Sequence, residues 1–186
     1  MSLSWTIPAP GAEALLLALV LGAAVYDVRC RRIPNWLTLA GVLLGLALNT
    51  FLNPTWPGLW FSLKGLGLGF GIYVVLYALH AMGAGDVKMM AAVGAVVGPQ
   101  NWFGIFVITA IVGGIMSLIL ITVRRRVKKT LFNVGFILNE MKSGRRAYLA
   151  NEELDVKSAK ALGLPHGAVI AVGTIFFLAA AARFAP

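Results

Sequence analysis

The sequence predicts an all-α protein, a polytopic membrane helix bundle of about six transmembrane helices with one cytoplasmic interfacial helix. Of its 186 residues, 59% are hydrophobic and only 12% are charged, whereas soluble domains carry about 25% charged residues. The mean hydropathy of +0.84 points to the same membrane class. Because the apolar residues fall into runs with short breaks between them, and nothing indicates a second core, we expect a single membrane domain over residues 1–186.

Six apolar runs are the candidate transmembrane helices. A helix needs about 20 apolar residues to cross a bilayer, and four runs meet that length while the sixth nearly does. The fourth run is short, so we expect either a tilted half-span or a helix that begins further upstream, within 83–86. Proline and glycine separate the runs, as in Gly98-Pro99. The runs are 10–26, 36–52, 59–79, 87–97, 102–123 and 167–182.

The basic residues predict the orientation of these helices. With the N-terminus outside, fourteen of the 16 Lys and Arg fall in the inner segments 27–35, 80–88 and 124–166. Cytoplasmic segments of membrane proteins are enriched in Lys and Arg, so we expect these three segments on the cytoplasmic side. The sequence before Arg29 contains no Lys or Arg, which favours a retained first helix over a cleavable signal peptide.

The segment 124–166 differs in character from the apolar runs. Apolar residues recur in it at helical spacing between two basic clusters, a pattern typical of an amphipathic helix on anionic lipid. These residues are Leu131, Val134, Leu138 and Met141. The stretch 151–160 that follows is polar and holds three of the seven acidic residues. It is either a solvated surface segment or a contact for the basic leader of a substrate.

Composition argues against several classes of function. The net charge of +9 arises from basic residues that flank apolar runs, so it indicates topology rather than nucleic-acid binding. The single cysteine, Cys30, excludes an internal disulfide and a multi-thiolate metal site. His80 and His166 have no ligand partner at helical spacing, so we expect no metal and no cofactor. Glycines in the second and third runs favour close helix packing over a nucleotide-binding loop. They are Gly41, Gly45, Gly65, Gly67, Gly69 and Gly71.

Two aspartates lie at the borders of apolar runs. Asp27 ends the first run and Asp86 opens the fourth, and an ionisable group at a bilayer border usually marks a function or a partner. Two spans separate the residues, and two crossings return the chain to its starting side. Both carboxylates are therefore expected at the inner face, where they could meet. The alternative is that each only ends a helix, with Asp86 as an N-terminal cap.

The residues around the aspartates favour a joint role. Asp86 closes Gly83-Ala84-Gly85-Asp86, in which Gly83 and Gly85 would let a substrate or helix backbone approach the carboxylate. Asp27 precedes a basic stretch that ends in the rigid turn Ile33-Pro34-Asn35. Lys88 follows Asp86 by two residues, a spacing at which helical side chains do not face each other. It either extends to lipid phosphates or assists the aspartates and the substrate backbone.

In these motifs the chain resembles the type IV prepilin peptidase family, the G-x-G-D membrane aspartyl proteases. The likeness also includes Leu164-Pro165-His166-Gly167-Ala168 before the last run. It implies that Asp27 and Asp86 are the catalytic pair. It further implies that the substrate is a prepilin, cut between its short basic leader and its hydrophobic helix at the cytoplasmic face of the bacterial inner membrane. The chain resembles the short, peptidase-only forms that serve Flp/Tad-type pili, so we do not expect N-methylation.

The chemistry of paired carboxylates fits this resemblance. Two carboxylates that share a site do not both ionise readily, so one stays protonated near working pH. The ionised one can take a proton from the attacking water while the protonated one polarises the scissile carbonyl; the sequence leaves open which is which. Two other interpretations stay open: a proton-coupled transporter with the aspartates as a relay, and a secretion-machine scaffold subunit in which they only cap helices.

Overall fold

The computed structural model describes residues 8–52, 56–80, 82–125, 127–142 and 164–184, and all regular structure in these ranges is helical. The helices are α1 (Pro10–Cys30), α2 (Asn35–Leu52), α3 (Trp56–Ala78), α4 (Ala84–Val123), α5 (Val127–Lys142) and α6 (His166–Phe184). All except α5 are long and apolar enough to cross a membrane. The prediction of an all-α, polytopic membrane bundle is confirmed.

The fourth and fifth apolar runs are two arms of α4, which is broken at Gly98. This residue has φ 72° and ψ 177°, a backbone conformation that favours glycine, and Pro99 follows it. A Cβ at Gly98 would overlap the Phe61 ring, so glycine is required for both backbone and packing. The helix that contains the short fourth run begins at Ala84. This is one of the two expected alternatives, a helix that begins further upstream, within 83–86.

The chain reverses direction at this break. Trp102 Nε1 donates a hydrogen bond to the Met90 carbonyl at 3.0 Å, although twelve residues of straight helix would separate these positions by about 18 Å. Further along, Thr109 packs on Gly173 and Val169 on Gly113, so the second arm runs antiparallel to α6. The two arms therefore form two antiparallel segments of the bundle, as the two separate apolar runs predicted.

The first arm, 84–97, is the centre of the bundle. Its residues from Met89 to Val97 are all buried, which is the pattern of a helix surrounded by others. At 1.5 Å per residue the arm is about 21 Å long, shorter than the hydrocarbon core of about 30 Å. It lies closest to α3, where Gly65 and Gly94 bring the two backbones into contact. Of the predicted packing glycines, Gly67 and Gly71 have no atom of the described residues within 4 Å of an added Cβ, so they do not take part in this contact.

A buried amide satisfies the carbonyl groups that the break leaves free. Pro99 has no N–H for the Ala95 carbonyl, the bond that an unbroken helix would make. Asn49 Nδ2 on α2 instead lies 3.1 Å from that carbonyl, 3.0 Å from the Val96 carbonyl and 2.9 Å from Ser62 Oγ on α3. The network fastens α2 and α3 to the end of the first arm.

The predicted interfacial helix is present as α5, after the second arm of α4. Leu131 and Val134 of its apolar pattern are exposed, and its position on a lipid surface stays a prediction. The polar stretch 151–160 lies outside the described residues.

Candidate functional site

Several helix ends meet at one end of the bundle and enclose a pocket of about 760 Å³. The end of α1, the start of α2, the end of α3 and the start of α4 all contribute to its wall. Its lining residues are Asp27, Arg31, Arg32, Ile33, Pro34, Asn35, Tyr77, Gly83, Ala84, Gly85, Asp86 and Lys88. All five residues predicted for the site, Asp27, Asp86, Gly83, Gly85 and Lys88, are therefore brought to one cavity.

Asp27 lies in the last turn of α1 and is only 8% exposed. Its Oδ2 accepts a hydrogen bond of 2.7 Å from the backbone N–H of Gly167, 140 residues away at the start of α6. A helix N-terminus carries partial positive charge and unpaired N–H groups, so it is a favourable partner for a carboxylate. A Cβ at Gly167 would lie 3.0 Å from Asp27 Cβ and 3.1 Å from Oδ2, and the contact therefore depends on glycine at position 167.

Asp86 lies in the first turn of α4 and is half-buried. Its Oδ2 accepts a hydrogen bond from Gly83 N at 3.2 Å, and its own N–H donates to the Gly83 carbonyl at 3.2 Å. Gly83 is therefore the N-cap of α4, and Asp86, three residues further on, accepts the N-cap N–H as the acidic residue of a capping box does. The carboxylate also interacts electrostatically with Asp27 and His166, so capping leaves it within reach of the other ionisable groups of the site.

The two motif glycines are not required by close packing. A Cβ at Gly83 would lie 3.4 Å from Asp86 Oδ2, and one at Gly85 would lie 3.4 Å from Ile33 Cβ. These are ordinary contact distances, in contrast to the backbone overlap that a Cβ at Gly65 would produce. Gly83 and Gly85 thus leave space in the pocket wall beside Asp86.

Lys88 connects the starts of two helices. Its Nζ donates a hydrogen bond of 2.9 Å to Asn35 Oδ1, across 53 residues of sequence. Asn35 directly follows Pro34, in the turn that the sequence analysis related to Asp27. From the sequence, the possible partners of Lys88 were lipid phosphates, the aspartates and the substrate backbone. Asn35 was not predicted, because the spacing of residues within one helix says nothing about contacts between helices.

His166 adjoins the site; beyond its place in the family-like segment 164–168, the sequence predicted only that it binds no metal. It begins α6 directly before Gly167, and its Nε2 is buried without a hydrogen-bond partner among the described residues. The matching segment Leu164-Pro165-His166-Gly167-Ala168 was the one sequence signal that could have placed it here. Within the described ranges, His, Cys, Asp and Glu form no group of three that could hold a metal ion, and the expected absence of a metal site stays a prediction.

Fold and site together define a multi-pass membrane protein with two carboxylates in a pocket at one end of a helix bundle. Residues 14–118 match the type IV leader peptidase family. The match covers more than half of the chain, including Asp27, Gly83 to Lys88, the first arm of α4 and most of the second. The chain belongs to this family, and it is accordingly a protease. No curated protein and no solved structure matches the chain.

Proposed function

We propose that this protein is a membrane aspartyl endopeptidase that removes the short basic leader from Flp/Tad-type prepilins at the cytoplasmic face of the bacterial inner membrane. The observation that carries the proposal is the single pocket that both Asp27 and Asp86 line. Membership of the type IV leader peptidase family supports proteolysis as the reaction. The enrichment of Lys and Arg in 27–35, 80–88 and 124–166 supports the cytoplasmic placement of this end of the bundle.

In the proposed reaction, a water molecule lies between the two carboxylates and the scissile peptide bond. The ionised carboxylate takes a proton from the water as it attacks the carbonyl carbon, and the protonated carboxylate donates to the carbonyl oxygen. Proton transfer to the leaving nitrogen then completes cleavage. The Gly167 N–H and the Gly83 N–H each hold one carboxylate oxygen, so both side chains are oriented before the substrate binds.

The remaining pocket residues would accommodate the substrate. Gly83 and Gly85 leave space next to Asp86, which would allow an extended peptide to lie against the start of α4. Lys88, held by Asn35, lines the same pocket and would donate to a substrate carbonyl as the peptide enters. These roles follow from the positions of the residues in the pocket, and each can be tested by substituting the residue.

The test is cleavage of a Flp-type prepilin by the purified protein in detergent or liposomes, followed by gel shift and mass spectrometry of the product. Asp27→Asn and Asp86→Asn should each reduce leader removal by at least about 100-fold, because general acid–base groups contribute 10²- to 10⁴-fold. Both variants should insert and purify like the wild type, since Asn keeps the size of the side chain.

Glu13→Gln is the matched control. Glu13 lies in the first turn of α1, at the opposite end of the helix from Asp27, and its replacement should leave cleavage unchanged. Full activity of either Asn variant would remove that aspartate from the catalytic pair. Proton or ion flux through liposomes, with an intact prepilin, would favour the transporter interpretation instead.

A further inference from the structure

A second cavity continues from the pocket along the outside of the bundle. It is a groove of about 380 Å³ between α2, α3 and the first arm of α4, a volume within the usual range for ligand sites. Its lining residues are Asn35, Thr38, Leu39, Val42, Leu66, Phe70, Lys88 and Ala91. Asn35 and Lys88 line both cavities, so the groove adjoins the pocket that contains the two aspartates.

The polar groups of the groove are concentrated at this junction and are bonded to one another. Lys88 Nζ donates to Asn35 Oδ1, and Thr38 Oγ1 donates to the Asn35 carbonyl at 3.0 Å. Beyond the junction the side chains are aliphatic or aromatic. Because buried polar groups of a ligand would find few partners there, the groove suits apolar side chains.

The dimensions of the groove suit a short stretch of peptide. From Asn35 to Val42 the groove follows α2 for about 10 Å, at 1.5 Å per residue. An extended chain advances about 3.3 Å per residue, so about three extended residues would occupy that length. The groove therefore has room for about three residues of a peptide that passes the Lys88–Asn35 pair.

We propose that this groove binds the apolar side chains that directly follow the scissile bond, with the Lys88–Asn35 pair at the border between the polar and apolar parts of the substrate. The inference rests on the proposed function, which supplies a substrate with an apolar segment next to the cleaved bond. A lipid acyl chain has similar apolar chemistry, but it has no part that must reach the aspartates, whereas the groove shares Asn35 and Lys88 with their pocket.

Photo-crosslinking tests the occupant independently of cleavage. A photoreactive phenylalanine analogue replaces Leu39 in the Asp86→Asn protein, and a prepilin labelled in its apolar segment is added in liposomes. Leu43 is the matched control, because it lies one turn further along α2 and is equally exposed, 59% against 58% for Leu39, but does not line the groove. We expect a substrate adduct from position 39 at several times the yield from position 43. Equal yields, or adducts with lipid alone, would overturn the proposal.

A specificity measurement is the second experiment. Two prepilins are compared, one natural and one with serines at the three positions after the cleaved bond. The wild type should favour the natural substrate at least about tenfold in kcat/KM, as apolar pockets discriminate by 10- to 200-fold. Val42→Trp fills the groove and should abolish this preference by lowering kcat/KM for the natural prepilin to the level of the serine substrate, and Leu43→Trp should retain the preference.

The crosslinking and specificity experiments together distinguish a failure of the groove proposal from a failure of the proposed function. An unchanged preference in Val42→Trp would contradict the groove alone. If the wild type cuts neither prepilin, the proposed function fails, and the crosslinking yields still decide whether the groove holds peptide.

Discussion

Two polar regions interrupt the apolar bundle, and they are built in different ways. At the end of the first arm of α4, Asn49 donates to Ser62 and to two backbone carbonyls and is only 5% exposed. At the other end, Asp27 is almost as buried, but it lines an open pocket together with a second carboxylate. The first region is closed on itself and holds helices together, whereas the second combines oriented acids with space for another molecule.

This difference separates a structural use of polarity from a functional one. An unpaired polar group inside a membrane is costly, so Asn49 and the two aspartates must each find hydrogen-bond partners. The Asn49 network does so because the Gly98-Pro99 break creates free carbonyls that need donors. The aspartates do so with two backbone N–H groups, one from α6 and one from the Gly83 turn, and both still line the open pocket.

The largest expected effect contrasts the two regions directly. Asp27→Asn should reduce cleavage by at least about 100-fold with an unchanged melting temperature. Asn49→Ala should do the reverse. It leaves the Ala95 and Val96 carbonyls without their donor, which costs about 1–3 kcal/mol of stability, while activity per folded molecule stays near that of the wild type.

Thermal unfolding in detergent and cleavage rate, measured on the same preparations, check both halves of this contrast. Thr50→Ala is the control for Asn49→Ala, because within the described part of the chain the Thr50 hydroxyl donates to the Leu46 carbonyl of its own helix and to no other helix. Loss of activity per folded molecule in Asn49→Ala would show that the two regions are coupled.

The next effect concerns the contact between α6 and Asp27. Gly167→Ala places a methyl group 3.0–3.1 Å from the Asp27 side chain and should displace the carboxylate. A displacement of about 1 Å in a catalytic group can reduce the rate by about 10²-fold. We therefore expect a loss of between tenfold and 100-fold in kcat with little change in KM.

Gly71→Ala is the matched control for this variant, because no atom of the described residues lies within 4 Å of a Cβ at that position. Wild-type kcat in Gly167→Ala would mean that the bond from α6 does not position Asp27 for the reaction.

A smaller effect is expected at the pocket wall. Gly85→Ala should be tolerated, since its methyl group would lie at an ordinary contact distance from Ile33. Gly85→Val extends further into the pocket and should raise KM by about tenfold, equivalent to about 1.4 kcal/mol of substrate binding. Gly83→Val should act in the same direction. A parallel fall in the yield of folded protein would assign both glycines a purely structural role.

The smallest perturbation is a label that tests on which side of the membrane the pocket lies. Cys30 is exposed at the end of α1, close in sequence to Asp27. An impermeant maleimide should label it in inverted inner-membrane vesicles and not in intact spheroplasts. Phe51 lies at the end of α2 that is opposite the pocket. A Phe51→Cys variant in a Cys30→Ser background should therefore show the opposite labelling pattern. Labelling of Cys30 from spheroplasts would place the aspartates outside and contradict the positive-inside argument.

The composition and hydropathy pattern were sufficient to predict the helices. The even number of membrane crossings between the two aspartates was sufficient to predict that they share one end of the bundle. Both depend on properties that are local along the chain: the length of an apolar run, the position of Gly98-Pro99, and the number of crossings between Asp27 and Asp86. The five site residues predicted from the sequence reach one pocket, since their motifs lie at helix ends that an even number of crossings brings to the same side.

Only the tertiary structure decided which groups contact each other at that end. The bond from Gly167 to Asp27 joins residues 140 positions apart, and the bond from Lys88 to Asn35 joins two helix starts. The groove beside them exists because α2, α3 and α4 leave a gap there. Hydropathy and spacing determine that helices form and cross a bilayer, but the rotation and separation of packed helices depend on side-chain fit between distant segments, which no local pattern contains.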